Sequence, residues 1–137
     1  MPALKKFLHA YDLDLLERIA SLWGVDFGSL DASAAADELA QSMGNAALAS
    51  EVVDSLPQSA KDALSSLAAA GGKIPWPQFA RRFGDVREFG PARREREEPE
   101  KHPTSTAETL WYRGLIGKAF MDLPPEPREF AFLPDEL

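Results

Sequence analysis

Apolar residues recur every three to four positions in four stretches between residues 4 and 53. This spacing places them on one face of a helix, so four short helices are predicted. Asp12, Ser33 and Asn45 precede three of these stretches and carry side-chain oxygens that can cap a helix. Residues 1–56 are therefore predicted to form a helical subdomain.

A different order of elements begins at Pro57, a residue that fits the first turn of a helix. The helix predicted there ends at Gly71-Gly72, and the short extended run KIPW follows. Proline interrupts this run, so it can be an edge strand but not a central one. Pro77 begins a second helix, PQFARRF, which Gly84 ends.

The last part of the chain combines a helix with two extended runs. Ser105 and Glu108 have the spacing of a capping box, which opens the helix ETLWYRGLIGK, and Glu108 is interpreted as a cap. KAFMDL and REFAFL then predict a β-hairpin around the loop PPEP. Gly114 falls on the apolar stripe of the helix, so Gly114→Val is expected to destabilise the fold by about 1–3 kcal/mol.

Residues 85–104 form a long charged loop between these elements. They include three prolines, Gly90 and the charge run RREREE. A connection of this length inside a compact domain is either functional or mobile. A short helix between Pro91 and Pro99 is compatible with the pattern. It would pair Arg93 and Arg94 with the glutamates four residues further on.

The element order from residue 57 onward is helix, strand, helix, long loop, helix, strand, loop, strand, which is the winged-helix order. The run LWYRGLI looks like the end of a winged-helix third helix. The stretch LPQSAKDALSSLAAAGGKIPWPQFARRFG resembles winged-helix modules that accompany bacterial XPB-like helicase domains. This resemblance implies a mainly α (α+β) protein, with residues 1–56 packed on a winged-helix domain, 57–137, that has a small β-hairpin wing. Two features depart from the pattern: the connection before the third helix is long, and PPEP carries no basic residue apart from the adjacent Arg128.

Charge is distributed unevenly along this acidic chain, whose formal net charge is −7. Residues 1–72 carry four basic and ten acidic side chains, and residues 119–137 carry one basic and five acidic. Residues 73–118 carry ten basic and seven acidic side chains. An anion-binding surface is therefore expected only in this middle segment.

The third predicted helix is the main candidate for contact with nucleic acid. Its face opposite the apolar stripe carries Thr109, Tyr112 and Arg113, and Lys118 follows shortly after. In a DNA-binding winged helix such side chains enter the major groove, where arginine reads guanine. An ordinary solvated face is the alternative interpretation.

Further candidates lie on the helix before it and in the charged loop. Arg81 and Arg82 can hold phosphates, or they can be solvated or paired with acidic residues of the first half. Arg93 and Arg94 give the loop basic character, although interleaved glutamates neutralise most of it. Phe89 either attaches the loop to the body of the protein or offers a partner protein an apolar anchor.

The remaining chemistry argues against an enzyme. The chain has no cysteine and two histidines, and no phosphate-binding loop or nucleophile motif occurs. We expect no catalytic residue, metal, cofactor or small-molecule substrate, no membrane association and a cytoplasmic location. The predicted function is a nucleic-acid-associated accessory domain that binds DNA and is linked to a helicase. The alternative is a protein-interaction module that uses the same fold without contacting DNA.

Overall fold

A computed structural model describes residues 4–25, 31–87, 89–121 and 128–133. Within these residues the protein is mainly helical, with eight α-helices and one three-stranded antiparallel sheet. The predicted mainly α, α+β class is confirmed. In chain order the elements are α1 (Leu4–His9), α2 (Leu13–Trp23), α3 (Ala32–Met43), α4 (Ala46–Asp54), α5 (Gln58–Ala69), β1 (Lys73–Pro75), α6 (Trp76–Phe83), α7 (Pro91–Glu97), α8 (Thr106–Trp111), β2 (Gly117–Met121) and β3 (Arg128–Phe132).

Local capping determines where the N-terminal helices begin. The Asp12 carboxylate accepts a hydrogen bond of 2.8 Å from the Leu15 N–H, and Asn45 caps α4 in the same way. Both caps were predicted. The cap predicted for α3 is wrong, because Asp31 and not Ser33 accepts the free N–H groups at the start of that helix.

The sheet has the strand order β1–β3–β2, with both pairs antiparallel. Ile74 of β1 lies opposite Ala131, and Ala119 of β2 lies opposite Phe130. β1 is an edge strand, as its proline predicts, since Pro75 has no backbone N–H to donate to a neighbouring strand. The predicted hairpin is confirmed as the β2–β3 pair, whereas the loop PPEP lies outside the described residues.

One apolar core joins the two halves of the chain. Leu16 and Leu39 from the first half belong to the same buried cluster as Leu110 and Ile116 from the second. The Trp23 indole N–H also donates a hydrogen bond of 2.6 Å to the Arg113 carbonyl oxygen. Helices α2 and α3 therefore pack directly against the segment that contains α8. In the described residues, no helix has the length and apolar character that crossing a membrane requires.

Helix α8 is shorter than its sequence pattern predicts. It ends at Trp111, and Gly114 follows in a turn with φ of +66°. The Ser105 hydroxyl accepts from the Glu108 N–H at 3.0 Å, so the first half of the capping box is confirmed. The Glu108 carboxylate does not return to the N-cap residue and has other partners, described below.

Residues 84–87 and 89–104, here called the strap, run from α6 to α8 and contain α7. The short helix expected between Pro91 and Pro99 is confirmed. The predicted pairing of Arg94 with Glu98 is wrong, because the Arg94 guanidinium reaches across to Asp12 and Asp14. An exposed ion pair within one helix contributes little to stability. The two carboxylates instead pair with a guanidinium that is only 9% exposed, where charge-assisted hydrogen bonds are stronger.

Candidate functional site

Helix α8 is enclosed rather than presented to solvent. Glu108 is fully buried, and Thr109 and Tyr112 are 9% and 2% exposed. The sequence placed Thr109 and Tyr112 on a face open to a ligand, and this placement is wrong. The reason is tertiary: α5 and α6 pack against α8, Tyr11 and Trp23 contact Trp111 and Arg113 at its end, and Arg87 of the strap bonds to Glu108.

Glu108 connects α8 to the strap. Its carboxylate accepts two hydrogen bonds from the Arg87 guanidinium, at 2.8 and 2.9 Å, one from the Arg87 N–H at 2.8 Å and one from the Thr104 N–H at 3.0 Å. Burial opposes ionisation of this carboxyl, but the hydrogen bonds from Arg87 and Thr104 outweigh it and hold the pKa of Glu108 below its usual value. Interpreting Glu108 as a cap therefore missed its main role.

A network of charged side chains joins the strap to α2. The Arg94 Nη1 group donates to Asp12 at 2.7 Å and to Asp14 at 3.0 Å, while Arg18 contacts Asp14 at 3.1 Å and Glu100 at 3.0 Å. Burial would raise the pKa of Asp12, but the hydrogen bonds from Arg94 and from the backbone outweigh it and lower that pKa. We call these five residues the α2–strap network. It uses Arg94, a predicted phosphate ligand, as an internal counter-ion.

Arg113 is also turned to an internal partner. Its guanidinium donates a hydrogen bond of 3.0 Å to the Thr109 carbonyl oxygen, and the side chain is half-buried. Burial lowers the pKa of Arg113. The Arg113 guanidinium, which the sequence predicted to read guanine, is therefore only partly accessible to a ligand.

Three of the predicted cations remain exposed. Arg81 and Arg82 lie on the outer side of α6, and neither forms an ion pair within the described residues. The Arg82 guanidinium lies 5.0 Å from the centre of the Phe83 ring. Arg93 is exposed on α7 and lies over Phe89.

The Phe89 ring packs against two cations, and the Lys118 ammonium packs against two aromatic rings. Phe89 is half-buried, with the guanidinium carbons of Arg87 and Arg93 at 4.9 and 4.5 Å from its ring centre. The Lys118 ammonium lies 4.2 Å from the Trp76 ring centre and 5.9 Å from that of Trp111. Both arginines belong to the strap, so these contacts are internal to it and both roles predicted for Phe89 stay predictions.

Two of the concave features lined by described residues bear on function. One is a cavity of about 210 Å³ between the strap, α2, α8 and β2, here called the strap cavity. Its lining consists of Leu15, Val86, Arg87, Phe89, Arg94, Trp111, Tyr112 and Lys118. The other is a groove of about 280 Å³ beside α4 and α5, here called the apolar groove. It is lined by Val53, Leu64, Ser65, Ala68, Leu115 and Leu133.

The sequence pattern pointed to four of the eight residues that line the strap cavity, Phe89, Arg94, Tyr112 and Lys118, but it did not place them together. The eight residues come from four separate segments, and nothing in their spacing reveals that the strap folds back over α8. The apolar groove was missed altogether, because its residues match the ordinary core pattern of a helix and a strand. In the described part of the chain, no cluster of three or more side chains is suited to holding a metal ion.

Comparison with known proteins adds no relative. No family model matches the chain, and neither the curated proteins nor the solved structures contain a significant match.

Proposed function

We propose that this chain is a protein-interaction module in which residues 57–137 form a winged helix packed on the helical residues 1–56. Two features support the winged helix. One is the order α5–β1–α6–α8–β2–β3, with the strap inserted before α8. The other is the single antiparallel sheet in which β3 pairs with both β1 and β2.

The burial of α8 is the observation that favours protein interaction over reading of DNA. A helix that reads base pairs must bring several side chains into the major groove, where they contact base edges directly. Thr109 and Tyr112, which would do this, are buried, and Arg113 bonds to the backbone of its own helix. A DNA duplex that approached α8 would therefore contact the strap and the N-terminal half first.

The apolar groove is the surface that we assign to the partner. Its described lining is aliphatic apart from Ser65, and it carries no charged side chain. The two helices beside it carry the exposed acids Glu51, Asp54 and Asp62 against the single base Lys61. A partner segment with an aliphatic side chain for the groove and basic residues next to it matches this surface. The resemblance to modules that accompany helicases makes a motor protein one class of partner.

A pair of neighbouring substitutions tests this assignment. Ala68 lines the groove and is exposed, so Ala68→Arg fills the groove without disturbing the core. Ala69 is exposed on the same helix turn and does not line the groove, so Ala69→Arg is the matched control. Each immobilised variant is incubated with extract of the source cells, and the retained proteins are quantified by mass spectrometry. A protein retained by the wild type and by Ala69→Arg but lost with Ala68→Arg supports the proposal. Identical retention by all three overturns it.

Arg81 and Arg82 favour a second candidate function, contact with the phosphate backbone of nucleic acid. Both are exposed and unpaired among the described residues, and the helix before a recognition helix commonly faces the DNA backbone. Fluorescence anisotropy of labelled duplex and single-stranded DNA at about 50 and 200 mM salt tests this candidate, since phosphate contacts weaken steeply with salt. Binding should be lost in Arg81→Ala/Arg82→Ala and kept in Arg96→Ala/Lys101→Ala, which removes two exposed charges from the strap. Absence of binding at the lower salt concentration eliminates this candidate.

A further inference from the structure

We infer that the strap cavity binds a small organic anion, with a carboxylate or phosphate monoester as its charged end and a flat apolar body. This site is separate from the apolar groove and does not depend on the function proposed above. The inference rests on the charge of the lining, on unused hydrogen-bond donors and on the apolar walls.

The lining of the strap cavity carries positive charge without a matching acid. Arg87, Arg94 and Lys118 contribute to it, and none of the described lining residues is acidic. The carboxylates that pair with the two arginines belong to residues outside this lining. An anion in the cavity would therefore face cations directly.

Each of the three cations keeps donor groups that no described residue uses. Arg94 holds both Asp12 and Asp14 through Nη1, which leaves its Nε and Nη2 groups without a partner among the described residues. Arg87 uses Nε and Nη2 for Glu108 and for the His102 carbonyl, and its Nη1 is unused. These guanidinium edges are positioned by their internal ion pairs, so little side-chain entropy is lost when an anion binds.

Lys118 is the cation whose charge is least neutralised by carboxylates of the described residues. Its ammonium makes no hydrogen bond within the described residues, and its nearest carboxylate oxygen, on Asp85, is 3.9 Å away. The side chain is only 19% exposed and is held between the Trp76 and Trp111 rings. An ammonium on a mostly buried side chain, with donors that no described residue uses, gains more from an anion than a freely mobile surface lysine does.

The uncharged residues that line the cavity determine which apolar group the ligand can carry. Leu15 and Val86 are aliphatic, while Phe89 and Trp111 present aromatic rings. Tyr112 adds a phenol whose hydroxyl makes no hydrogen bond to a described residue. Ligand sites of drug-sized molecules occupy roughly 300–1,000 Å³, so a cavity of about 210 Å³ suits a smaller molecule with one ring and one anionic group.

Titration of the full chain with phenyl phosphate, benzoate and inorganic phosphate, followed by two-dimensional NMR and calorimetry, tests this inference. We expect saturable binding of phenyl phosphate or benzoate, with the largest shifts at Trp111, Tyr112 and Lys118. Inorganic phosphate should bind more weakly because it lacks the apolar body. Equal affinity for inorganic phosphate would overturn the proposed ligand class.

Two variants locate the site. Lys118→Met should weaken binding about tenfold or more, the loss expected for a hydrogen bond to a charged group. Lys101→Met, which removes an exposed lysine that pairs with Glu98, is the control and should leave binding unchanged. If Lys118→Met does not fold, Phe89→Ala removes one ring from the cavity wall and should lower affinity for phenyl phosphate more than for inorganic phosphate. Absence of saturable binding, or unchanged affinity in the cavity variant that folds, overturns the inference. The Ala68→Arg variant leaves this cavity intact, so the two proposals can fail independently.

Discussion

Glu108 shows at the scale of one residue how this protein uses its charges. The carboxylate has no contact with solvent, yet five hydrogen bonds from Arg87 and Thr104 keep it ionised. A buried charge is tolerated only when its partners replace the lost water, and removal of one partner leaves the other uncompensated. Glu108 and Arg87 are therefore a structural pair that attaches the strap to α8.

Glu108→Gln should lower the free energy of unfolding by about 1–3 kcal/mol at pH 7, because the hydrogen bonds that remain are to a neutral group. Urea denaturation followed by circular dichroism measures this loss. Glu98→Gln, which affects an exposed pair with Lys101, is the control and should leave stability unchanged. Equal stability of wild type and Glu108→Gln would contradict the role assigned to this carboxylate.

Tyr11 differs from Glu108, because its buried hydroxyl has no hydrogen-bond partner among the described residues. Its ring packs against Trp111 at 5.5 Å between centres, and no described residue forms a hydrogen bond with its Oη atom. Burial raises the pKa of this phenol above its usual value. Tyr11→Phe should therefore raise the free energy of unfolding, by about 1 kcal/mol. A loss of stability in thermal denaturation would show that the hydroxyl has a partner in solution.

The strap is the element whose position decides what the surface of the protein offers. It is held at two places, by Glu108 on α8 and by the α2–strap network. In each of these ion pairs one partner is largely buried, and salt screens such pairs less than fully exposed ones. The strap therefore behaves as part of the packed structure rather than as a solvated connection.

Acid should weaken the attachment of the strap. The pKa values of Asp12 and Glu108 are lowered in the folded protein, so their contribution to stability is complete above the pKa of the unfolded carboxyls, about 4 to 4.5. It is lost as the pH falls through the lower, folded values. The urea midpoint should vary little between about pH 6 and 8 and should fall below about pH 5. Glu108→Gln should show a shallower acid dependence, and an unchanged slope would contradict this explanation.

The turn after α8 depends on a glycine for two separable reasons. Gly114 has φ of +66°, and a Cβ atom there would lie 3.0 Å from the Met43 Cε and 3.3 Å from the Ile19 Cγ2. Gly24 has nearly the same φ, +69°, but no atom within 4 Å of an added Cβ. Gly24→Val therefore measures backbone strain alone, expected to cost about 1–2 kcal/mol. Gly114→Val should cost about 1–3 kcal/mol more because of crowding, and equal losses in thermal denaturation would contradict the packing described here.

At the scale of the whole molecule, the two halves share one core. Ile19 and Met43 from the first half pack near Gly114, and Trp23 bonds to the backbone of Arg113. Neither half buries these groups without the other. Interactions that cross the boundary make the unfolding of one half favour the unfolding of the other.

We therefore expect thermal unfolding in a single cooperative transition. Far-ultraviolet circular dichroism, which reports helices, and near-ultraviolet circular dichroism, which reports packing of the tryptophans, should give coincident curves. Separate transitions would show that residues 1–56 and 57–137 are independent domains. They would also weaken the inference that α8 is permanently enclosed.

The sequence by itself determined the local part of this structure. Helix ends at Asp12, Asn45 and Gly84, the edge position of β1 and the β2–β3 hairpin follow from capping, from glycine and proline chemistry and from apolar periodicity. These effects act between residues a few positions apart, so a pattern read along the chain contains them. The misplaced cap of α3 and the overlong α8 are errors of two or more residues at element ends, where several residues compete for the same backbone groups.

Only the tertiary structure decided which surfaces are available. Arg94 meets Asp12, and Arg18 meets Glu100, across 82 positions of the chain, and Tyr112 is covered by segments that its own helix pattern cannot reveal. On a short helix with one apolar stripe, the opposite face is polar whether it meets solvent or a second layer of the protein. Burial and charge pairing depend on which distant segments pack together, and this is why the predicted recognition face became part of the interior.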